Sequence, residues 1–164
     1  MARSGASAVS IVTLLFSFQG RISRQPYWLT SIAMIALTVS IWSILALGSG
    51  SILPADAGGL GGVTLLLLAS YVPFVWIALA VGTKRLHDRG KSAWWLLPFY
   101  ALPSIIDGAG SYAGGMEMLF TLASLALTIW AVVELGLLRG AAGPNAYGPD
   151  PLVAGSESQP EWKA

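Results

Sequence analysis

The chain alternates long uncharged apolar stretches with short segments rich in cations and aromatic rings. No charge occurs from Gln25 to Ala55, and residues 27–47 alone make about 31 Å of helix, the thickness of a hydrocarbon core. This is the first predicted span. It is expected to stop at Gly48-Ser-Gly-Ser51, and residues 53–62, with their glycines and Pro54, read as a loop. A second uncharged stretch, residues 63–83, contains Pro73 as an expected kink and ends on Lys84-Arg85. Its helix is predicted to run on to His87 or Asp88 and to close at Gly90, which tolerates the left-handed conformation of a helix stop.

The third stretch, residues 93–106, carries Pro98 and Pro103 and amounts to only about 21 Å of helix. Extended through Asp107 to residue 109 it approaches the length of a span. A full, kinked crossing over 93–109 is favoured, with a re-entrant segment as the rival. Residues 118–138 form the fourth span, interrupted only by Glu134. Ahead of the first span, residues 8–18 are apolar but too short to cross, so a helix lying in the headgroup layer is expected. Signal-peptide cleavage is disfavoured because Ser17-Phe-Gln-Gly-Arg21 lacks a small-x-small site. Past Arg139 the sequence is turn-forming to Pro151, and residues 153–164 have the composition of a disordered tail. The expected fold is an all-α integral membrane protein with four transmembrane helices, the third short and proline-kinked, and a short interfacial N-terminal helix. Its divisions are residues 1–26, the helical bundle 27–138 and the polar segment 139–164.

Composition agrees. Of 164 residues, 55% are hydrophobic and 10% charged, against about a quarter charged in soluble proteins, too few to build a water-facing surface. The net charge of +1 says little; the distribution of cations says more. Arg3, Arg21 and Arg24 precede the first span, Lys84, Arg85, Arg89 and Lys91 follow the second, and Arg139 and Lys163 follow the fourth. Segments 48–62 and 107–117 hold none. Four crossings therefore put all nine cations on one side, which the positive-inside rule assigns to the cytosol, with both termini there. Cysteine is absent and His87 is the single histidine, so neither a metal site nor a cofactor is expected. Nucleic-acid binding is not expected either.

Arg24-Gln-Pro-Tyr-Trp-Leu29 and Lys91-Ser-Ala-Trp-Trp-Leu96 match in residue type and each opens an odd-numbered span. A parallel duplication would produce this; so would convergence, since cations followed by Tyr27, Trp28, Trp94 and Trp95 suit any membrane boundary. Together with Phe18-Gln-Gly-Arg-Ile-Ser-Arg24, Lys84-Arg-Leu-His-Asp-Arg-Gly-Lys91 and Gly143-Pro-Asn-Ala-Tyr-Gly-Pro-Asp-Pro151, these segments resemble the YhaH/YhaI-like family of small bacterial inner-membrane proteins of unknown function. The resemblance covers residues 16–151 and implies a bacterial inner-membrane location and no established activity. One departure is the polar segment 107–117, which divides an apolar region that family members often keep in one piece.

On a helix continuing past Thr83, Lys84, His87, Asp88 and Lys91 share a face, with Arg85 and Arg89 beside it. Joined by Arg21 and Arg24, the seven basic positions suggest an anion site for a lipid phosphate or phosphorylated ligand. The alternative is that they set topology and attract bulk anionic lipid, at about 1 kcal/mol per residue. His87 and Asp88 point about 100 degrees apart on a helix and lack a Ser or Cys partner motif, so no enzyme is expected. Asp88 is expected to pair with Lys84 or Arg85, or with Arg21 or Arg24. Glu134 is read either as a proton or cation site or as a partner of the 84–89 cluster, and Asp150 as meeting an arginine if the 145–151 motif folds back. The resulting functional expectation is a non-enzymatic inner-membrane protein whose cytosolic basic and aromatic face binds an anionic ligand, lipid headgroup or protein partner. A small transporter or channel component, acting as a homo-oligomer, is the second reading. Membrane lipids, mainly anionic, are the first expected partners.

Overall fold

The computed structural model describes residues 10–52 and 58–153. Arg3, residues 53–57 of the first expected loop, and the tail from 154 with Lys163 lie outside them. The helices are α1 (Ile11–Phe16), α2 (Arg24–Ile52), α3 (Gly58–Asp88), α4 (Leu102–Gly110) and α5 (Glu117–Val132). A 3₁₀ turn at Ala93–Trp95 and a wide π-helical turn at Leu97–Ala101 lead into α4, and a second π-helical turn, Val133–Leu137, continues α5. Among the described residues no strand occurs beyond a single bridge between Asn145 and Gly148.

Two antiparallel pairs build the molecule. At the basic end of α2 and α3, the Ile22 N–H donates to the Lys84 carbonyl at 3.4 Å, and Ile22, Ile77 and Val81 form a buried cluster that Tyr27 and Met34 of α2 cover. In the second pair, Trp95 and Phe99 set their rings edge-on to Trp130, 5.9 and 5.1 Å between centroids. Near the far end of the pair, Gly110 lies against Phe120. The pairs join through a core of Leu86, Leu96, Phe99, Ala131 and Leu135, again at the basic end.

Three helical stretches are long and apolar enough to cross a membrane: Arg24–Ile44, Leu67–Asp88 and Glu117–Leu137. None of the apolar window of α2 is buried inside the protein. Leu29, Ile32, Leu65, Leu68, Leu119 and Leu122 are exposed, which hydrocarbon solvates without cost and water does not.

Two elements depart from the sequence reading. Helix α2 runs through Gly48-Ser-Gly-Ser51 to Ile52, and α3 begins as early as Gly58, so most of the expected loop is helix. Glycine costs a helix about 1 kcal/mol, whereas an open backbone group in a water-poor setting costs several; the helix wins because it satisfies its own backbone. Residues 93–110 are helical nearly throughout, yet pass from 3₁₀ to π to α winding. Pro98 and Pro103 each remove a donor from the hydrogen-bond ladder, and the turn between them widens.

Gly110 is where the α4–α5 pair is tightest: a Cβ there would stand 2.8 Å from Cβ of Phe120, a backbone-anchored atom that cannot swing away. Gly108, two positions earlier, faces open space. Gly110→Ala is expected to lose about 1–3 kcal/mol through overpacking, and Gly108→Ala to be neutral or to gain up to about 1 kcal/mol from helix propensity. Thermal unfolding in detergent micelles measures both; equal melting temperatures for the two variants would contradict the packing described.

Candidate functional site at the basic end of the helices

A helix leaves its last carbonyls without internal donors, and those groups attract cations. The end of α5 and its π-helical turn has a run of them, and nearly every one is met by a side chain from another element. Arg85 donates through Nε to the Leu135 carbonyl at 2.6 Å and through Nη2 to that of Leu138. Trp28 Nε1 donates to Gly136 at 3.1 Å, and Arg24 Nη1 to Leu137 at 3.2 Å. Arg89 donates to the Arg139 carbonyl at 2.5 Å. Arg21 reaches further, to the carbonyls of Ala141 and Gly143, both at 2.7 Å.

Asp88 holds the arginines in place. Its Oδ1 accepts from Arg21 Nε and Nη2 at 3.2 and 3.1 Å, and its Oδ2 from Arg85 Nη1 at 2.5 Å. All three side chains are nearly sealed from solvent, with 1%, 0% and 4% exposure for Arg21, Arg85 and Asp88. Such a triad is tolerable only if its remaining donors are satisfied, and the helix-end carbonyls satisfy them. Helix α3 can present Asp88 and Arg85 together because they lie one turn apart. It ends there because Gly90, at φ +70°, closes it, with the Gly90 N–H on the His87 carbonyl and the Lys91 N–H on that of Leu86.

The remaining cations of the predicted cluster are also engaged. Arg89 Nε and Lys91 Nζ bind the same Oε1 of Glu134 at 3.1 and 2.8 Å, and Lys91 lies 4.5 Å over the Trp95 ring. Lys84 caps the end of α1, donating to the carbonyls of Thr13, at 2.8 Å, and Leu14. The His87 ring stacks on Tyr147 at 3.8 Å, and its Nδ1 lies 3.3 Å from the Gly20 carbonyl. Asn145 Nδ2 donates to the His87 carbonyl, and the Ala141 N–H to that of Asp88. The motif after Arg139 therefore folds back over the end of α3. Asp150 accepts from the N–H groups of Leu152, at 2.9 Å, and Gly143, at 3.0 Å. These two bonds, Leu152 first, hold its carboxyl below the ordinary carboxylate range. Of the four boundary aromatics, Trp28 and Trp95 pack against the α5 end and Trp130, Tyr27 covers the core, and Trp94 is 77% exposed.

Beside this knot opens a pocket of about 850 Å³. Ser23, Arg24, Gln25 and Trp28 form one wall, where α2 begins; Gly136, Leu137, residues 139–142 and Leu152 form the other, and Asp88 and Asp150 also line it. Arg24 and Arg139 are exposed, unlike the buried Arg21 and Arg85. Of the cations predicted as an anion site, only Arg24 borders this opening. Arg139 borders it too and was not among the predicted site residues; its signal in the sequence is its place as the first cation after the last apolar stretch. Ser23 and Gln25 gave none. Among the described residues there is no grouping of histidine, aspartate and glutamate fit to hold a metal ion.

The helices define a multi-pass membrane protein, and residues 15–149 match the family described as proteins of unknown function, DUF805, to which the chain belongs. It is 31% identical to the uncharacterised protein YiiR of Escherichia coli strain K12 over 155 residues, covering 87% of this chain and 90% of the relative. From the same organism, the inner membrane protein YhaH is 28% identical over 138 residues, covering 83% and 88%, and the inner membrane protein YhaI 28% over 143, covering 87% and 92%. No solved structure matches significantly.

The two acidic anchors should differ in weight. Asp88→Asn strips the counter-charge from two buried arginines and is expected to cost about 3–5 kcal/mol. Glu134→Gln leaves partners that reach solvent, at 23% and 28% exposure, and should cost about 1 kcal/mol or less. Denaturation in mixed micelles compares them, and equal losses would contradict the ranking.

Asp150 predicts a pH response of the returning motif. A carboxyl with a depressed folded pKa stabilises above its unfolded value, and that contribution disappears as pH falls through the folded value. The protection of the Gly143 and Leu152 amides, relative to their intrinsic exchange at each pH, should therefore be high at neutral pH and fall below the ordinary carboxylate range. In Asp150→Asn that acid-dependent loss of protection should be absent, as read by hydrogen–deuterium exchange.

Proposed function

We propose that the chain is a non-enzymatic, four-span protein of the bacterial inner membrane, with both termini cytosolic, that holds the phosphate of a lipid headgroup in the pocket beside Arg24 and Arg139. The observation that carries this reading is the pairing of two exposed guanidinium groups on one pocket, at the end of the apolar helices where headgroups lie. Arg24 donates one N–H to the Leu137 carbonyl and keeps its place on the pocket, whereas Arg21, Arg85, Arg89 and Lys91 lie off it, bound to Asp88 or Glu134. The pocket wall is also the first turn of α2, where the N–H groups of Arg24 and Gln25 have no partner within the helix, Pro26 having none and Tyr27 donating to the Ser23 carbonyl.

Four crossings draw support from the second antiparallel pair. Contacts run from Trp95 beside Trp130 to Gly110 beside Phe120, so residues 93–110 follow α5 over most of its length. The distribution of cations supports the cytosolic assignment of the basic end. Glu134, bound by Arg89 and Lys91, supports a structural role over a proton or cation pathway.

Native mass spectrometry of the protein released from lipid nanodiscs tests the pocket. Arg24→Ala combined with Arg139→Ala should lower phospholipid retention about tenfold or more, at about 1 kcal/mol per cation, while Lys91→Ala should leave it within about twofold. Equal losses in both would mean diffuse surface attraction. Labelling of introduced cysteines tests the topology: Tyr112→Cys should react from the periplasm, Ser92→Cys and Ala146→Cys from the cytosol. Periplasmic reaction at Ala146→Cys would rule out four crossings.

A further inference from the structure

The pocket is not uniformly cationic. Arg24 and Arg139 border it together with Asp88 and Asp150, and the two carboxylates differ in what they have left to give. Asp88 already receives three arginine N–H bonds and is 4% exposed, so it has no charge to spare. Asp150 is half-buried; each of its oxygens accepts a single backbone N–H, and a carboxylate oxygen can accept two bonds. The pocket therefore offers two exposed guanidinium groups, of which Arg24 commits one of its five N–H donors to the Leu137 carbonyl, and one carboxylate with acceptor capacity left over. At about 850 Å³ it is also far larger than a phosphate ion needs and falls in the range of pockets that enclose whole small ligands.

Resting on the phosphate reading above, we infer that the pocket selects a zwitterionic phosphate ester, with the phosphate on Arg24 and Arg139 and a tethered primary ammonium on Asp150. An ammonium carries three donors and suits a carboxylate with unused lone pairs. A purely anionic headgroup would bring its phosphate to the arginines but leave Asp150 facing neutral or negative groups, which is unfavourable. The chemistry required, phosphate joined to ammonium by a short linker, is that of phosphoethanolamine, either as the headgroup of a membrane phospholipid or as the free ester.

The full-length protein in nanodiscs containing equal amounts of phosphatidylethanolamine and phosphatidylglycerol provides the test, with native mass spectrometry reading the ratio of retained lipids. The wild type should favour phosphatidylethanolamine about fivefold over its bulk share, and Asp150→Asn should remove that preference while retaining phosphatidylglycerol. The phosphatidylglycerol signal reports that the variant's pocket is folded. Competition by free O-phosphoethanolamine separates the sources: displacement of the lipid supports a soluble ligand, and persistence of the lipid supports the membrane headgroup. A ratio equal to bulk in the wild type, or one unmoved by Asp150→Asn, overturns the inference. If Arg24→Ala with Arg139→Ala still lowers both lipids, the phosphate reading survives that failure; if it lowers neither, the phosphate reading itself falls.

Discussion

The structure depends on the end of α5. There the chain leaves a helix with a succession of carbonyls that need donors, where the protein seals the surrounding side chains from solvent and an unmet polar group is expensive. Arginines from the N-terminal segment, from the start of α2 and from the end of α3 supply those donors, and Trp28 supplies another. Asp88 is needed because two of these arginines are buried almost completely; without a counter-charge their guanidinium groups would cost more than the carbonyls repay. Around this one requirement the two helix pairs are fixed to each other, since Arg85 and Asp88 belong to the first pair and Leu135 and Leu138 to the second.

That arrangement explains why the packed core lies at one end. Away from the knot, described apolar side chains of α2 and α3 such as Ile35, Ile44, Leu65 and Leu68 are exposed. Between lipid and protein there is little hydrophobic gain from helix association, so close packing and polar contacts must hold helices together. Here glycine provides the first, with Gly82 under Leu96 and Tyr100, Gly110 at Phe120 and Gly136 at Trp28. The ion pairs and capped carbonyls provide the second. Gly140 belongs to the same economy of space: any side chain there would collide with the Asp88 carboxylate.

The same requirement separates the cations by role. Arg21 and Arg85 are buried and committed to holding the fold, while Arg24, with one N–H on the Leu137 carbonyl, and Arg139 stay exposed on the edge and border the pocket. Of the basic patch read along the chain only Arg24 borders the pocket, where Arg139 from outside that patch joins it; Arg21 and Arg85 replace water at a helix end. The returning motif, held by the His87–Tyr147 stack and by Asn145, completes the pocket wall and brings Asp150 to it.

Apolar runs of membrane-spanning length, the helix stop at Gly90, the family motifs and the presence of acidic partners for the basic clusters could all be read from the sequence, because each rests on local periodicity or on charge next to an apolar boundary. The pairing of Asp88 with both Arg21 and Arg85 could be narrowed to a few partners, since few cations share that boundary. The helical course of the glycines at 48–52 and 58–62 could not, because local propensity argued for a loop and the cost of an unsatisfied backbone overrode it. Nor could the division of the cations, which turns on which carbonyls α5 leaves open and on how far residues 140–152 fold back. Arg139 joined Arg24 at one pocket only in three dimensions, across more than a hundred residues of chain. Hydrophobic length and charge placement are properties of short segments and survive in the sequence; the satisfaction of buried polar groups depends on distant segments meeting, and only the tertiary structure decides it.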